Sequence, residues 1–201
     1  MIPILVLLAA YLLGAIPFGY VLVKWKTGAD VRSAGSGNIG ATNVLRTTGR
    51  AAGIATLLFD VAKGYLAVWV AGRLTAQDWL WMSAAALAVM AGHAYPVFLK
   101  FKGGKAVASW LGAFLCLTPI ALVAVLVVFV AVVACTLYIS MGSIIMAATL
   151  PLAIWLILHP PLPPILAAII AAVFIIYKHS SNIQRLRSGQ EHVFSFGARK
   201  P

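Results

Sequence analysis

Residues 119 to 136 read PIALVAVLVVFVAVVACT, a long run without a single charge, and comparable runs recur along the chain. An α-helix needs about 20 mostly apolar residues to cross the roughly 30 Å hydrocarbon core of a bilayer. Of the 201 residues, 63% are hydrophobic and 9% are charged, against about 25% charged in an ordinary soluble domain. A water-soluble fold of this size could not bury so much apolar surface. The sequence therefore predicts an all-α integral membrane protein, one polytopic domain over 1–201, with the lipid bilayer as its solvent.

Gly, Pro and polar residues punctuate the apolar runs into about seven transmembrane helices: 2–24, 51–72, 79–98, 104–117, 119–138, 143–159 and 162–178. The fourth run is short before Thr118-Pro119 and could join the fifth as one bent segment. The proline-rich stretch HPPLPP, 159–164, makes a rigid turn. The first 23 residues lack a basic leader and a cleavage site, and read as a retained helix. Cys116 and Cys135 lie in apolar runs and read as reduced packing residues.

A net charge of +11 would point to nucleic acid in a soluble protein. Here it sorts by side instead. Seven spans place thirteen Lys and Arg on one face, the C-terminal Arg199 and Lys200 among them, and Arg73 alone on the other. The positive-inside rule then puts the C-terminus in the cytoplasm and the N-terminus outside. Three polar segments share that cytoplasmic face, near 33–50, 99–109 and 178–192, and the chemistry is expected there.

The first segment reads SAGSGNIGATNVLRTTGR. Gly37 and Gly40 allow close backbone approach to a ligand, and successive N–H groups can form an anion-binding nest. Ser36, Asn38, Thr42 and Asn43 add short hydrogen-bonding groups, and Arg46 a planar fork suited to phosphate. A flexible surface loop with a helix cap is the plainer alternative. In the second segment, FKGGKAVAS, the spacing is not that of a Walker phosphate loop. Gly103 and Gly104 before Lys105 at a helix start still suggest an anion cradle, the alternative being a cationic membrane anchor. In the third, KHSSNIQRLRSGQEH, His179, Asn182 and Arg185 fall three apart and would share a helix face, as the charges of a solvated tail also could. Glu191 either pairs with an active-site cation or holds the tail in place.

Asp60 and Lys63, at i and i+3 within the second span, are costly inside a membrane. Mutual neutralisation accounts for them as a structural ion pair, with His93 a supporting helix-end residue. Ser143 is a further polar candidate. The chain has no G-x-S-x-G, no H-E-x-x-H, no metal-type Cys/His cluster and no H-x-x-x-x-D acyltransferase signature. An enzyme built this way, with no metal or cofactor expected, would act by binding and positioning anions.

Taken together, GSGNIGATN…R, GHAYPVFLKFKGGKAVA and KHSSNIQRLRSGQE resemble the three cytoplasmic motifs of the bacterial glycerol-3-phosphate acyltransferases that use acyl-phosphate, and FDVAKG matches a lesser pattern of that family. Two departures stand out: Ser109 where the family often has Thr, and Leu137 where a basic residue is common, which leaves 138–143 uncharged. The resemblance implies acyl transfer from acyl-phosphate to the sn-1 hydroxyl of glycerol 3-phosphate, in phospholipid biosynthesis at the bacterial inner membrane. No nucleic acid is expected as a partner, and no obligatory protein partner is evident in the sequence. Gly103, Gly104 and Lys105 would hold the donor phosphate. Ser36, Asn38 and Arg46 would bind polar parts of the substrates, and His179 and Asn182 would orient the acceptor hydroxyl. The general base is either His179 or the donor phosphate itself. An organic-phosphate transporter or a lipid-binding scaffold are the competing classes.

Overall fold

The computed structural model describes residues 2–194, so Arg199 and Lys200 of the basic C-terminal group lie outside it. The described residues are helical throughout, without strands. They fold as two compact units, which meet in sequence at Leu117 and Thr118.

The first unit contains α1 (Ile2–Ala15), α2 (Phe18–Thr27), α3 (Ala41–Thr48), α4 (Arg50–Leu74), α5 (Trp79–Ala94) and α6 (Val107–Leu117). Pro17 separates α1 from α2, because it lacks an N–H and disfavours helix at the residue before it. The carbonyl of Ile16 that the break frees accepts from Lys63 Nζ at 2.8 Å. That ammonium is also 2.8 Å from Asp60 Oδ1, and it lies over the Phe18 ring. The pair foreseen within one helix thus holds the proline break as well.

Helices α4 and α6 cross so closely that a β-carbon on Gly64 would meet the Ser109 carbonyl and one on Gly112 the Val61 carbonyl. Glycine is required on both partners of this crossing. Trp110 and Phe114 of α6 are fully buried beside it, their rings 5.7 Å apart.

The second unit contains α7 (Pro119–Thr136), α8 (Ile139–Leu158), α9 (Leu162–Lys178) and α10 (Ser180–Arg187). Of α7 only Ala121, Leu122 and Val125 are buried. Ile120, Val123, Val127 and Val130 are exposed, a surface suited to lipid and not to water. Cys135 is exposed too, so it is not the packing residue expected, while Cys116 is partly buried. Leu137, in the left-handed region at φ 61°, ends α7, and α8 begins two residues later. The residues left between the expected spans 119–138 and 143–159 are not a loop: α8 begins at Ile139, and its first turns bury Ser140 and Ser143.

Among the described residues, five helices are long and apolar enough to cross a membrane, counting Ile2–Thr27 as one, or six if α9 and α10, bent by 58°, form a single span. The run at 104–117 is not among them. Its helix has 11 residues, and at 1.5 Å per residue it reaches roughly 16 Å, about half the hydrocarbon thickness. It is a separate helix and does not merge with the next, since Thr118 breaks the chain and Pro119 opens α7.

Candidate active site

The glycine-rich stretch is an ordered loop. Asp30 Oδ1 accepts from the N–H of Arg32 at 2.9 Å and opens a 3-10 turn over Val31–Ser33. Gly35 and Gly37 then take φ of 60° and 69°, which only glycine adopts cheaply. Val31, Ile39 and Val44 pack with Val23, Ala52 and Leu99 into a small core beneath the loop. Burying a Val or Leu side chain contributes about 1.5–3 kcal/mol, so the loop is anchored by its own apolar residues.

Asn43 lies at the centre of it. Its Oδ1 accepts from the Ser36 N–H at 2.8 Å, and its Nδ2 donates to the carbonyls of Asn38, Ala34 and Val31 at 2.8, 3.1 and 3.2 Å. The side chain is buried and its amide is fully committed, so Asn43 organises the loop and is not the substrate ligand expected from its place in the motif. The Gly37 N–H donates to Ala34 and the Gly40 N–H to Asn38 Oδ1. The expected backbone nest is therefore closed at Ser36, Gly37 and Gly40. What the loop presents outward is the exposed side chains of Ser36 and Arg46, with Thr42 and Asn38 partly exposed.

A parallel correction applies to Gly103 and Gly104. Helix α5 ends at Ala94, leaving its last carbonyls without intrahelical donors. The chain turns through Pro96, a 3-10 turn at Val97–Leu99 and two left-handed residues, Lys100 and Phe101, then runs back. The Gly103 N–H donates to Ala94 O at 3.3 Å and the Gly104 N–H to His93 O at 3.1 Å. These N–H groups cap α5 and do not cradle an anion. The glycines serve close approach: a β-carbon on Gly103 would strike the His93 carbonyl and Pro96, and one on Gly104 would strike His93 Nε2. Lys105 follows, partly buried, ahead of the first turn of α6 and not within it. With these N–H groups committed, the cationic groups expected from the two motifs are side chains: Arg46, exposed, and Lys105, partly buried.

His93 connects the buried pair to this turn. Its Nδ1 is 3.5 Å from Asp60 Oδ1, and Asp60, Lys63 and His93 are all at most 4% exposed. The same β-carbon on Gly104 would come within 3.4 Å of Asn38 Oδ1, so Gly104 brings the two loops of the first unit together.

In the second unit, His179 ends α9 and is buried. Its Nδ1 is 2.8 Å from the Ile175 carbonyl, which can only accept, so Nδ1 carries the hydrogen and Nε2 is the lone-pair nitrogen of the neutral ring. Asn182 Nδ2 donates to Glu191 Oε1 at 2.7 Å, Ser140 Oγ to the same oxygen at 3.1 Å, and Arg185 Nε to Oε2 at 2.9 Å. Both roles open to Glu191 are present in these bonds: it pairs with Arg185, a candidate site cation, and ties the tail to Ser140 of α8 and Asn182 of α10. Burial pushes the Glu191 carboxyl up, but the Asn182 bond, the Arg185 charge and the Ser140 hydroxyl outweigh it and leave it below the usual glutamate range. Arg185, expected to bind substrate, has its Nε committed to this carboxylate. Ser143, also expected as a ligand, donates its hydroxyl to Ile139 O within α8.

Apolar helices of membrane-spanning length, joined by ordered polar loops that carry Arg and Lys, define an all-helical integral membrane protein. Residues 4–189 match the family model described as glycerol-3-phosphate acyltransferase. The chain is 49% identical over 185 residues to a Geobacter sulfurreducens protein of that name, covering 92% of this chain and 94% of the relative. Its identity to the Geobacter metallireducens counterpart is 52% over 195 residues, 96% and 98% of the two chains. The structure resembles that of PlsY (YgiH), an integral membrane glycerol 3-phosphate acyltransferase, in its glycerol 3-phosphate form with a TM-score of 0.90 at 36% identity. It also resembles the lysophosphatidic acid form, with a TM-score of 0.87 at 34% identity, and 96% of each chain is covered in both cases. The chain belongs to the glycerol-3-phosphate acyltransferase family.

Proposed function

We propose that the protein transfers a fatty acyl group from acyl-phosphate to the sn-1 hydroxyl of glycerol 3-phosphate, releasing lysophosphatidic acid and inorganic phosphate. It would do so at the cytoplasmic face of the bacterial inner membrane. The observation that carries this reading is the likeness over nearly the whole chain to an enzyme solved with the acceptor and with the acylated product. Seven membrane passages, with the short α6 as one of them, leave the N-terminus outside and the C-terminus inside, as the distribution of Lys and Arg favours.

The acceptor oxygen attacks the acyl carbon, the new ester C–O bond forms, and the bond from acyl carbon to phosphate oxygen breaks. The donor is already an activated mixed anhydride, so no enzyme-bound acyl group is needed. Lys105 meets the charge that grows on the departing phosphate, and such preorganised stabilisation is commonly the largest catalytic contribution. Arg46, with Ser36, Asn38 and Thr42, binds the polar and anionic parts of the substrates. His179 and Asn182 are assigned to orienting the acceptor hydroxyl. Its single proton passes to the donor's phosphate oxygen as the new ester bond forms.

The test follows phosphate release and lysophosphatidic acid formation with palmitoyl-phosphate, and separately with palmitoyl-CoA. Matched release of both products from palmitoyl-phosphate, lost in Lys105→Ala, is the result expected. Turnover with the CoA donor alone overturns the assignment of Lys105 to a leaving phosphate. High residual turnover in His179→Gln supports the donor phosphate as proton acceptor. Loss in His179→Ala that imidazole restores assigns the proton to the histidine.

A further inference from the structure

We infer that His93 is a positioning residue, gripped by the buried Asp60–Lys63 pair, that sets the place of Lys105 by bracing the Gly103–Gly104 turn. The inference rests on the assignment of Lys105 to the donor phosphate.

Three observations converge on it. Both halves of His93 meet the same short turn: its carbonyl accepts the Gly104 N–H at 3.1 Å, and its Nε2 lies where a Gly104 β-carbon would be. On the opposite edge of the ring, Nδ1 faces Asp60 Oδ1 at 3.5 Å. Asp60 is itself held by Lys63, whose Nζ is anchored to the Ile16 carbonyl at the proline break. The third observation lies just beyond Lys105. Ala106 has φ of 62°, a left-handed conformation that costs an L-residue roughly 1–2 kcal/mol, and strain of this kind persists where the surroundings impose it. Lys105 is therefore set between a glycine pressed against the His93 ring and a residue held in a strained entry to α6.

An ion pair needed only for neutrality would require no histidine. Packing alone would not place one ring nitrogen toward a carboxylate and the other against the backbone next to the lysine. A displacement of about 1 Å at a catalytic group can cost on the order of 100-fold in rate, so the bracing has a kinetic consequence separate from stability.

The two ring nitrogens can be tested apart. His93→Gln places an amide nitrogen near the position of Nε2 and keeps the contact with the turn. His93→Asn reproduces only the edge toward Asp60 and leaves space at Gly104. With palmitoyl-phosphate and glycerol 3-phosphate as substrates, His93→Asn is expected to lower kcat on the order of 100-fold. Its KM for glycerol 3-phosphate should stay within about twofold, the split expected when an interaction matters mainly in the transition state. His93→Gln should keep kcat within roughly tenfold of the parent. Removing one charge leaves the other buried and unpaired, so the anchor is tested with the neutral pair Asp60→Asn with Lys63→Met, which should lower kcat in the same manner as His93→Asn. Adding Gly104→Ala to His93→Asn fills the vacated space and should recover part of the rate that either change loses alone.

Unchanged kcat in folded His93→Asn overturns the inference. Equal losses in the Asn and Gln variants, accounted for by a smaller folded fraction in thermal unfolding, overturn it in favour of plain core packing. If the parent itself does not turn over palmitoyl-phosphate, the assigned reaction fails first and takes the inference with it. If Lys105→Ala is inactive while His93→Asn is fully active, only the inference fails.

Discussion

The side chain of Asn43 accepts the backbone N–H of Ser36, seven residues earlier, at 2.8 Å. That bond, with three more from the same amide, makes a glycine-rich stretch into a defined shape that presents Ser36 and Arg46. Asn43→Asp keeps the oxygen and loses every donor, leaving buried carbonyls unsatisfied at about 1–3 kcal/mol each. The expected outcome is a lower unfolding temperature and a large loss of turnover, whereas Thr47→Ala, one turn further along α3, should cost far less. Thermal unfolding and steady-state kinetics on the two variants make the comparison.

Gly64 and Gly112 face each other's helix backbone across the α4–α6 crossing. Gly112→Val should separate the helices, with a cost at least of the 1–3 kcal/mol typical of overpacking, because the clashing atoms are backbone. Little folded protein should be recovered. Gly28→Ala is the contrast: its site has open space around the β-carbon and suffers only from its positive φ. Monodispersity on gel filtration in detergent distinguishes the two.

Glu191 links stability to acid. Its carboxyl is held below the ordinary glutamate value of about 4.3 by Asn182, Arg185 and Ser140. A lowered folded-state pKa means the unfolded chain takes up the proton first, so the stabilisation is fully present above that ordinary value. It is lost as pH falls through the folded-state pKa. Denaturation midpoints measured from pH 6 down to pH 3 should therefore fall, and Glu191→Gln should remove part of that dependence while being less stable at pH 6.

Lys105 and Arg46 carry charge to which the closed backbone loops add little. Lys105→Ala should reduce kcat by about 10²–10³-fold, the range for losing one preorganised group at a developing anion. Lys105→Arg should recover only part of it, because a planar fork does not replace a compact ammonium. Arg46→Lys should instead raise KM for a phosphate-bearing substrate more than it lowers kcat. Separate kcat and KM determinations for both substrates decide each case.

Much of this architecture is legible in the residues alone. Uncharged runs such as 119–136 must be helices away from water, and Pro119 opens one of them. Pro160 and Pro161 part α8 from α9, although the expected proline turn over 159–164 ends sooner because Leu162 already begins α9. The apolar length of 104–117 did not reveal how much of the bilayer it covers, because only the coordinates show the helix starting at Val107. The first span, read as one over 2–24, still counts as one over Ile2–Thr27, but its break at Pro17 into α1 and α2 was not foreseen. The ion pair at Asp60 and Lys63 could be seen from its spacing. Its further contacts, to Ile16 and toward His93, join residues 47 and 33 positions apart, which local pattern does not report.

Composition and periodicity thus determined the solvent of this protein, its helices and the three places where polar chemistry gathers, because hydropathy and backbone geometry act over short stretches of chain. The tertiary structure decided which polar groups there remain for a ligand. A glycine-rich loop can turn its N–H groups toward an anion or toward its own carbonyls. In this fold the end of α5 takes those of Gly103 and Gly104 and Asn43 takes that of Ser36. Buried backbone donors and acceptors are nearly all paired in a folded chain, and partners distant in sequence exist only once the chain has folded.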